Sequence, residues 1–403
     1  MTLFFVIFCI YLLHIHFLLQ NIYLGLDEVE IFGFSFVYQF NTSVAQESLL
    51  FSTCCLLAFV LGYILSYRRR PNLQNQVPLS TSIIGCRNEL RWLNFFGVVV
   101  ILYMLILIVI TGGSYGSMVK IRASSGFIFE LRMLYLLLLT HVMLNVPIGQ
   151  FLSDRAFRLA RLVLVLYVVS VVIFQARSCL FEIAGVLLIP RLLWNGDKIK
   201  FKYFLYLGIA MFVPNLVILG RIGIQEDFWS TASLVFSFEY TMVLSKFLGA
   251  AISNPVSMDT TSFLTHFQLL LPSPLRNLFD LPPIQYGFFN KISETAGVTG
   301  GGFSLLAQLF NDFRWYSPIV LLIIGYVIGR VVGRGRRVGR VSIKYSYGPL
   351  LYCGFILAIR NDFGVLLKYS VQLVVISWVL NFLVRTRLGK TSQLIFPTTV
   401  KHQ

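Results

Sequence analysis

Residues 299–330 read TGGGFSLLAQLFNDFRWYSPIVLLIIGYVIGR, and this stretch decides how the chain is built. Its second half begins an apolar run, 315–333, of the length that an α-helix needs to cross a bilayer. Its first half opens with three glycines and continues with a short apolar segment. The stretch therefore predicts a short helix that ends at the membrane and leads directly into a spanning helix.

Similar apolar runs recur along the whole chain of 403 residues. Hydrophobic residues make up 57% of the sequence, charged residues only 12%, and the mean hydropathy is +0.78, which excludes a water-soluble globular protein. Backbone polar groups in lipid are satisfied only within helices or closed barrels. We therefore predict an all-α, polytopic integral membrane helix bundle of about ten transmembrane helices. The runs lie at 3–22, 48–66, 93–111, 130–147, 162–176, 178–194, 203–220, 315–333, 346–360 and 365–384.

One part of this assignment has two solutions. Arg177 interrupts the apolar sequence between 162 and 194. It either separates two short spans or lies within one broken helix.

The net charge of +16 is mostly a signal of orientation. With the N-terminus inside, every inner segment is rich in Lys and Arg, as the positive-inside rule requires. The charge therefore predicts cytoplasmic N- and C-termini and does not require a nucleic-acid partner. The largest inner clusters are Arg68, Arg69, Arg70, Arg87 and Arg91, then Arg330, Arg334, Arg336, Arg337, Arg340 and Lys344.

The six cysteines and five histidines show no spacing that is typical of a metal site or a disulfide framework. We therefore predict neither a metal nor a cofactor. The first apolar run has no basic segment before it and no clear cleavage site, so we interpret it as an uncleaved first span.

The predicted topology divides the chain into three parts. Residues 1–220 hold transmembrane helices 1–7, residues 221–314 form a large outer loop, and residues 315–403 hold helices 8–10 and a cytoplasmic tail. Long loops in compact proteins are usually functional. Within this loop, SLVFSFEYTMVLSKFLGAA at 233–251 predicts an amphipathic or partly inserted helix, and the prolines that follow predict further surface or re-entrant helices.

Seven arginines fall on the outer side, where the positive-inside rule does not explain them. A guanidinium presents a planar fork of donors that matches phosphate oxygens and stays charged at any working pH, so together they indicate a site for phosphate or pyrophosphate. The alternative is that they extend to the membrane surface or pair with nearby carboxylates. For Glu182 a salt bridge to an arginine is the preferred interpretation. The seven are Arg122, Arg132, Arg177, Arg221, Arg276, Arg314 and Arg360.

Four outer residues are candidates for a general base. A carboxylate or imidazole in a closed site can take the proton from a hydroxyl group as it attacks. The candidates are Asp312, His266, Glu226 and Asp280. The amides of Gly300, Gly301 and Gly302 could bind phosphate at a helix N-terminus, and the alternative is a flexible hinge between the loop and the helix.

The layout resembles the Wzy-type oligosaccharide repeat-unit polymerases, which are the O-antigen and capsule polymerases of bacteria. The segment GGGFSLLAQLFNDF is similar to the family's pattern of small residues, Ser, a short apolar helix, an acidic residue and Phe-Gly. Gln308 stands where the family has Glu, and Arg314 stands where it has Gly. The sequence AIRNDFG around Arg360 is similar to the family's late outer arginine.

The resemblance implies a metal-independent membrane glycosyltransferase of the GT-C type in the bacterial inner membrane, with a periplasmic active site. Its donor and acceptor would be undecaprenyl-pyrophosphate-linked oligosaccharides, and a chain-length regulator of the polysaccharide co-polymerase type would be a further partner beside membrane lipids. The arginines would bind pyrophosphate and stabilise the charge that develops as it leaves. The alternatives are a flippase or transporter of the same lipid-linked glycan, and an O-antigen ligase.

Overall fold

A computed structural model describes most of the chain. The described residues are 2–25, 27–31, 34–68, 87–113, 127–174, 177–194, 239–254, 270, 279, 287–297, 304–334, 342–359 and 363–391. We number the elements in chain order.

The described chain is helical except for one antiparallel hairpin. A π-helical segment, Tyr11–Ile15, interrupts the first long helix, and short 3₁₀ turns link several others. The elements are α1 (Thr2–Ile10), α2 (His16–Leu24), β1 (Glu28–Ile31), β2 (Phe34–Val37), α3 (Thr42–Arg68), α4 (Arg87–Thr111), α5 (Phe127–Asn145), α6 (Ile148–Ser153), α7 (Arg158–Ile173), α8 (Arg177–Trp194), α9 (Glu239–Ser253), α10 (Gly287–Ala296), α11 (Leu305–Phe313), α12 (Ser317–Arg334), α13 (Gly348–Ile359) and α14 (Phe363–Thr391).

Six stretches of the described chain are helical, long and apolar enough to cross a bilayer, which confirms a helical membrane protein. They are Thr2–Leu24, Thr42–Ser66, Asn88–Thr111, Arg155–Ile173, Leu305–Val332 and Leu366–Val384. Three further predicted spans coincide with shorter apolar helices, and the run 203–220 lies outside the described residues. The total of about ten spans stays a prediction.

The region 162–194 forms two helices, α7 and α8, on either side of residues 175–176. Arg177 is the first residue of α8. Two spans and one broken helix both predict a helix on each side of this break, so the choice between them stays a prediction.

Helices α3 and α12 form the tightest pair, and glycine makes it possible. A Cβ at Gly62 would lie 2.0 Å from the Leu322 carbonyl oxygen, and one at Gly325 would lie 2.3 Å from the Phe59 carbonyl oxygen. Small residues let helix backbones approach closely where lipid offers no hydrophobic drive to associate. Gly325 therefore has a packing role that fully accounts for its identity.

Helix α13 lies at the centre of the bundle. Every residue of it except Leu357 is buried. Gly185 of α8 lies against the Cys353 thiol, Gly354 lies against the Tyr369 ring of α14, and the Phe355 ring stacks on Phe59 with centroids 4.8 Å apart. Arg360, which follows this helix directly, is thus attached to the most enclosed element of the described fold.

The hairpin was not predicted from the sequence. Its strands pair in the register Glu28 with Val37 and Ile31 with Phe34. The chain then turns into α3 through Tyr38 and Phe40, whose rings pack on the glycine face of α9 at Gly249. The residues that follow the hairpin therefore contact a helix from the predicted loop.

Helix α9 lies within the predicted loop 221–314, and it packs as a core element. All eight residues from 243 to 250 are buried. Its neighbours are the π-helical segment, α3, α10 and α11. Part of the predicted loop thus packs against the first span and α3.

Candidate functional site

Helix α11 carries the segment with which the sequence analysis began. Ser304 caps its N-terminus, because the Ser304 hydroxyl oxygen accepts a hydrogen bond from the Ala307 amide at 3.1 Å. Residues 305–311 are all buried, so the short helix is fixed on every side. The serine at this position in the sequence pattern is therefore explained by helix capping.

The turn after α11 has a strained backbone. Arg314 has φ 52° and ψ −136°, and it is the one non-glycine residue with positive φ in the described chain. A residue with a Cβ rarely adopts this conformation, whereas glycine adopts it freely. The Ser317 hydroxyl lies 2.6 Å from the Arg314 carbonyl and 2.7 Å from the Leu309 carbonyl, so it stabilises the turn.

The Arg314 side chain lies near one ring of a small aromatic cluster. Its guanidinium carbon lies 5.6 Å from the centroid of the Phe310 ring. Phe51 packs edge-on against both Phe310 and Trp315, with centroids 5.0 and 5.7 Å apart. Trp315 and Tyr316 are exposed, as aromatic residues at a membrane interface typically are. The Arg314 charge thus lies near the membrane interface, just before the first residue of the spanning helix α12.

Gln308 links α11 to the start of α14. Its Oε1 accepts a hydrogen bond of 2.6 Å from the Phe363 amide, and the side chain is buried. The first amides of a helix have no partner within the helix, so this contact caps α14 from another element. It holds the helix that begins three residues after Arg360 against the helix that ends one residue before Arg314.

Replacing Gln308 with leucine is expected to destabilise the protein by about 1–3 kcal/mol, because the Phe363 amide loses its acceptor in a partly buried place. Gln308→Glu keeps the acceptor and adds a negative charge at a helix N-terminus, which is favourable. Thermal unfolding of the two purified variants in detergent measures the difference. Equal stability of both variants would show that the cap contributes nothing.

Asp312 is the one general-base candidate that the structure describes. It lies at the end of α11, half-buried, and the Asn311 side-chain amide donates to its Oδ1 at 3.3 Å. Its carboxylate is two residues from Arg314 on the chain. His266, Glu226 and Asp280 lie outside the described residues.

Arg132, one of the seven outer arginines, pairs with a carboxylate, which is the alternative that the sequence left open for these residues. It is buried and forms an ion pair with Glu182 of α8, Nη1 to Oε2 at 3.2 Å, while its Nη2 donates to Oε1 at 3.3 Å. Its Nη1 also contacts the Cys179 thiol. The predicted pairing of Glu182 with an arginine is confirmed, and the arginine that the described residues show, Arg132, comes from α5.

The other members of the predicted anion site are described only in part. Arg177 begins α8, but the position of its side chain is not described. The remaining residues lie outside the described part of the chain: Arg122, Arg221, Arg276, Arg360, Gly300, Gly301 and Gly302. Arg314 is therefore the member whose surroundings can be argued from structure.

Two buried polar side chains were not among the predicted site residues. Lys246 of α9 is 5% exposed, and His14 of the π-helical segment is fully buried. A single lysine within an otherwise apolar stretch, and a histidine within a span, were signals that could have found them, since ionisable groups inside membrane proteins are usually functional. Within the described residues, no group of three His, Cys, Asp or Glu side chains is placed to hold a metal ion.

Comparisons of the chain with family models, with curated proteins and with solved structures find no match. The functional argument therefore depends on the residues of the chain itself.

Proposed function

We propose that this protein polymerises undecaprenyl-pyrophosphate-linked oligosaccharide repeat units into O-antigen or a related polysaccharide. The observation that supports the proposal best is Arg314, a permanently charged group in a backbone conformation that glycine would adopt at lower cost. Strained residues of this kind cluster at functional sites, where surrounding contacts keep them in place. Here the contacts are the Phe310 ring and the Ser317 hydroxyl.

The reaction needs a positive charge where the leaving group forms. A hydroxyl oxygen of the incoming lipid-linked unit attacks the anomeric carbon of the growing glycan, and the bond from that carbon to the pyrophosphate oxygen breaks. The proton of the hydroxyl passes to a base, and the lipid pyrophosphate departs with the electron pair. Preorganised donors aimed at such a developing charge typically provide the largest single contribution to catalysis.

Arg314 suits the role of stabilising the leaving pyrophosphate, and Asp312 on the same turn suits that of the base. In this proposal the arginines supply the charge, and no metal or cofactor takes part. The site would face the periplasm in the bacterial inner membrane, with both chain termini in the cytoplasm. The product's length would be set together with a co-polymerase type regulator.

Deleting the gene and separating the surface glycan by length tests the proposal. We expect the ladder of glycan lengths to collapse to one repeat per lipid, with the single repeats still exported. Expression of the intact gene should restore the ladder. An unchanged ladder after deletion would contradict a polymerase.

A flippase or transporter of the same lipid-linked glycan is the second candidate. The Arg132–Glu182 ion pair favours it, because intramembrane ion pairs often mark substrate or proton pathways. This function predicts that deletion abolishes surface glycan and traps lipid-linked repeats on the cytoplasmic side. The same deletion strain therefore separates the two candidates.

A further inference from the structure

Lys246 is a buried cation on the helix that the large loop inserts into the bundle. The residues from Val243 to Ala250 are all buried, and Lys246 is 5% exposed among them. Moving an ammonium group out of water costs several kcal/mol unless a counter-charge or hydrogen bonds offset it. A lysine in this place therefore needs an explanation.

One of the elements that pack against α9 carries a buried polar side chain. Helix α9 packs against the π-helical segment of the first span, which contains His14. The Nε2–H of His14 donates weakly to the Ile359 carbonyl at 3.4 Å, and Nδ1 is buried without a hydrogen-bond partner in the described structure. Ile359 is the residue before Arg360, so this region adjoins the end of α13.

Other buried polar groups occur on the same neighbouring helices. Ser52 of α3 has a buried hydroxyl and Asn311 of α11 has a buried Oδ1, both without a hydrogen-bond partner among the described residues. Helix α9 contacts three elements that carry these groups: α3, α11 and the π-helical segment. π-Helical turns within α-helices are rare and occur frequently at functional sites.

No counter-charge for Lys246 is present in the described chain. Glu47, Glu294 and Asp312 lie on helices that pack against α9, yet the one ion pair among described residues is Arg132–Glu182. Tyr38 packs on the same helix at Gly249, but burial raises the pKa of Tyr38 to about 12, so it stays uncharged. The positive charge therefore has no anionic partner within the described protein.

We propose that Lys246 and His14 form a binding site for a phosphate group between α9, the π-helical segment and α11. The site is separate from Arg314, because it uses a lysine on the inserted loop helix and a histidine in the first span. A phosphate would supply a negative charge beside Lys246. Its oxygens would also form a hydrogen bond with Nδ1 of His14, which has no partner in the described structure. Under the proposed function, on which this assignment partly rests, a second phosphate site would hold the second lipid-linked substrate.

Phosphate suits this place better than a free carboxylate for two reasons. Its several oxygens accept hydrogen bonds from different directions, which matches donors that come from separate helices. The surroundings of Lys246 are apolar, with buried Val243 and Phe247 on its own helix, and a lipid phosphate arrives with an apolar chain attached. A phosphate at the head of a prenyl chain combines both properties.

The test compares two probes on the purified full-length protein in detergent. Inorganic pyrophosphate and geranylgeranyl pyrophosphate are titrated by calorimetry, with uncharged geranylgeraniol as the control. We expect Lys246→Met to weaken the binding of geranylgeranyl pyrophosphate about tenfold or more, since a charge-assisted hydrogen bond is lost. Lys246→Arg keeps the charge and should bind within about threefold of the unaltered protein.

Two further measurements keep the result interpretable. Without ligand, Lys246→Met should unfold at or above the temperature of the unaltered protein, because an uncompensated buried charge is gone. His14→Asn should also weaken binding, and the double variant should lose less than the sum of both single losses if both side chains contact one phosphate. Additive losses would contradict a shared site.

The outcomes separate the possible sources of the phosphate. If Lys246→Met loses affinity for both pyrophosphate and geranylgeranyl pyrophosphate, the site recognises phosphate alone. If it loses affinity only for geranylgeranyl pyrophosphate, the site binds a lipid headgroup. Unchanged binding in Lys246→Met, or an equal loss for geranylgeraniol, would overturn the proposal. If the gene deletion leaves the glycan ladder intact while Lys246→Met still loses binding, the phosphate site stands and the polymerase function fails.

Discussion

Replacing Glu182 with leucine is expected to lower the free energy of unfolding by about 3–5 kcal/mol. The change leaves the guanidinium of Arg132, a residue that is only 9% exposed, without this anionic partner inside the bundle. The pair also joins α5 to α8, so its loss weakens a contact between two helices. Thermal unfolding of the protein in detergent and its abundance in the membrane should both fall sharply.

The double variant Arg132→Met with Glu182→Leu is the matched control. It removes both charges and keeps similar volumes, and such replacements are often neutral or even stabilising. Arg155→Met, at an exposed arginine, should change little. If the single and double variants lose the same stability, then volume and not charge accounts for the effect.

Replacing Arg314 with glycine is expected to separate stability from activity. Glycine adopts the backbone of residue 314 without strain, which recovers about 1–3 kcal/mol, although the contact with Phe310 is lost, so a net gain of about 1 kcal/mol is expected. Under the proposed function the same change removes a donor to the leaving pyrophosphate. The rate of glycan elongation should fall about 100-fold or more.

Two further variants give this prediction its controls. Arg314→Lys keeps the charge and the strain but loses the planar fork, so it should retain part of the activity and gain no stability. Arg330→Ala, at an exposed arginine near the other end of α12, should leave elongation unchanged. A fully active Arg314→Gly variant would remove Arg314 from the site and leave the strained turn without a functional explanation.

The positions of the helices were largely predictable from the sequence. Apolar runs at 93–111 and 365–384 lie within the observed α4 and α14, since a chain in lipid can satisfy its backbone only by forming helices. The short helix before α12 was also predicted, from the glycines and the apolar segment after them. Apolar length and turn residues are local properties, so a short stretch of sequence is enough to predict such helices.

The contacts between distant residues were not predictable. Glu182 forms an ion pair with Arg132, which lies 50 positions earlier in the chain on another helix. Position 308 was recognised only as a departure from a pattern, and the structure shows its amide oxygen capping α14. Both contacts depend on which helix faces lie together, and periodicity alone does not specify that.

The placement of α9 shows the same limit. The sequence left open whether residues 233–251 form a helix on the surface or one partly inserted, because an apolar segment can bury itself against lipid or against protein. The structure places the described part of this segment against α11 and the π-helical segment, which buries Lys246. Lys246 is a candidate site residue because this packing buries its charge, and the sequence alone does not show that burial.

The sequence by itself determined the membrane class, the helices and the excess of arginine outside the predicted inner segments. Composition and local periodicity are enough for these, because each helix satisfies its own hydrogen bonds and lipid selects for apolar length. The tertiary structure alone decided which charges are neutralised and which stay available. A buried charge is governed by the few groups within about 4 Å of it, and in this fold those groups come from helices that are far apart in the chain.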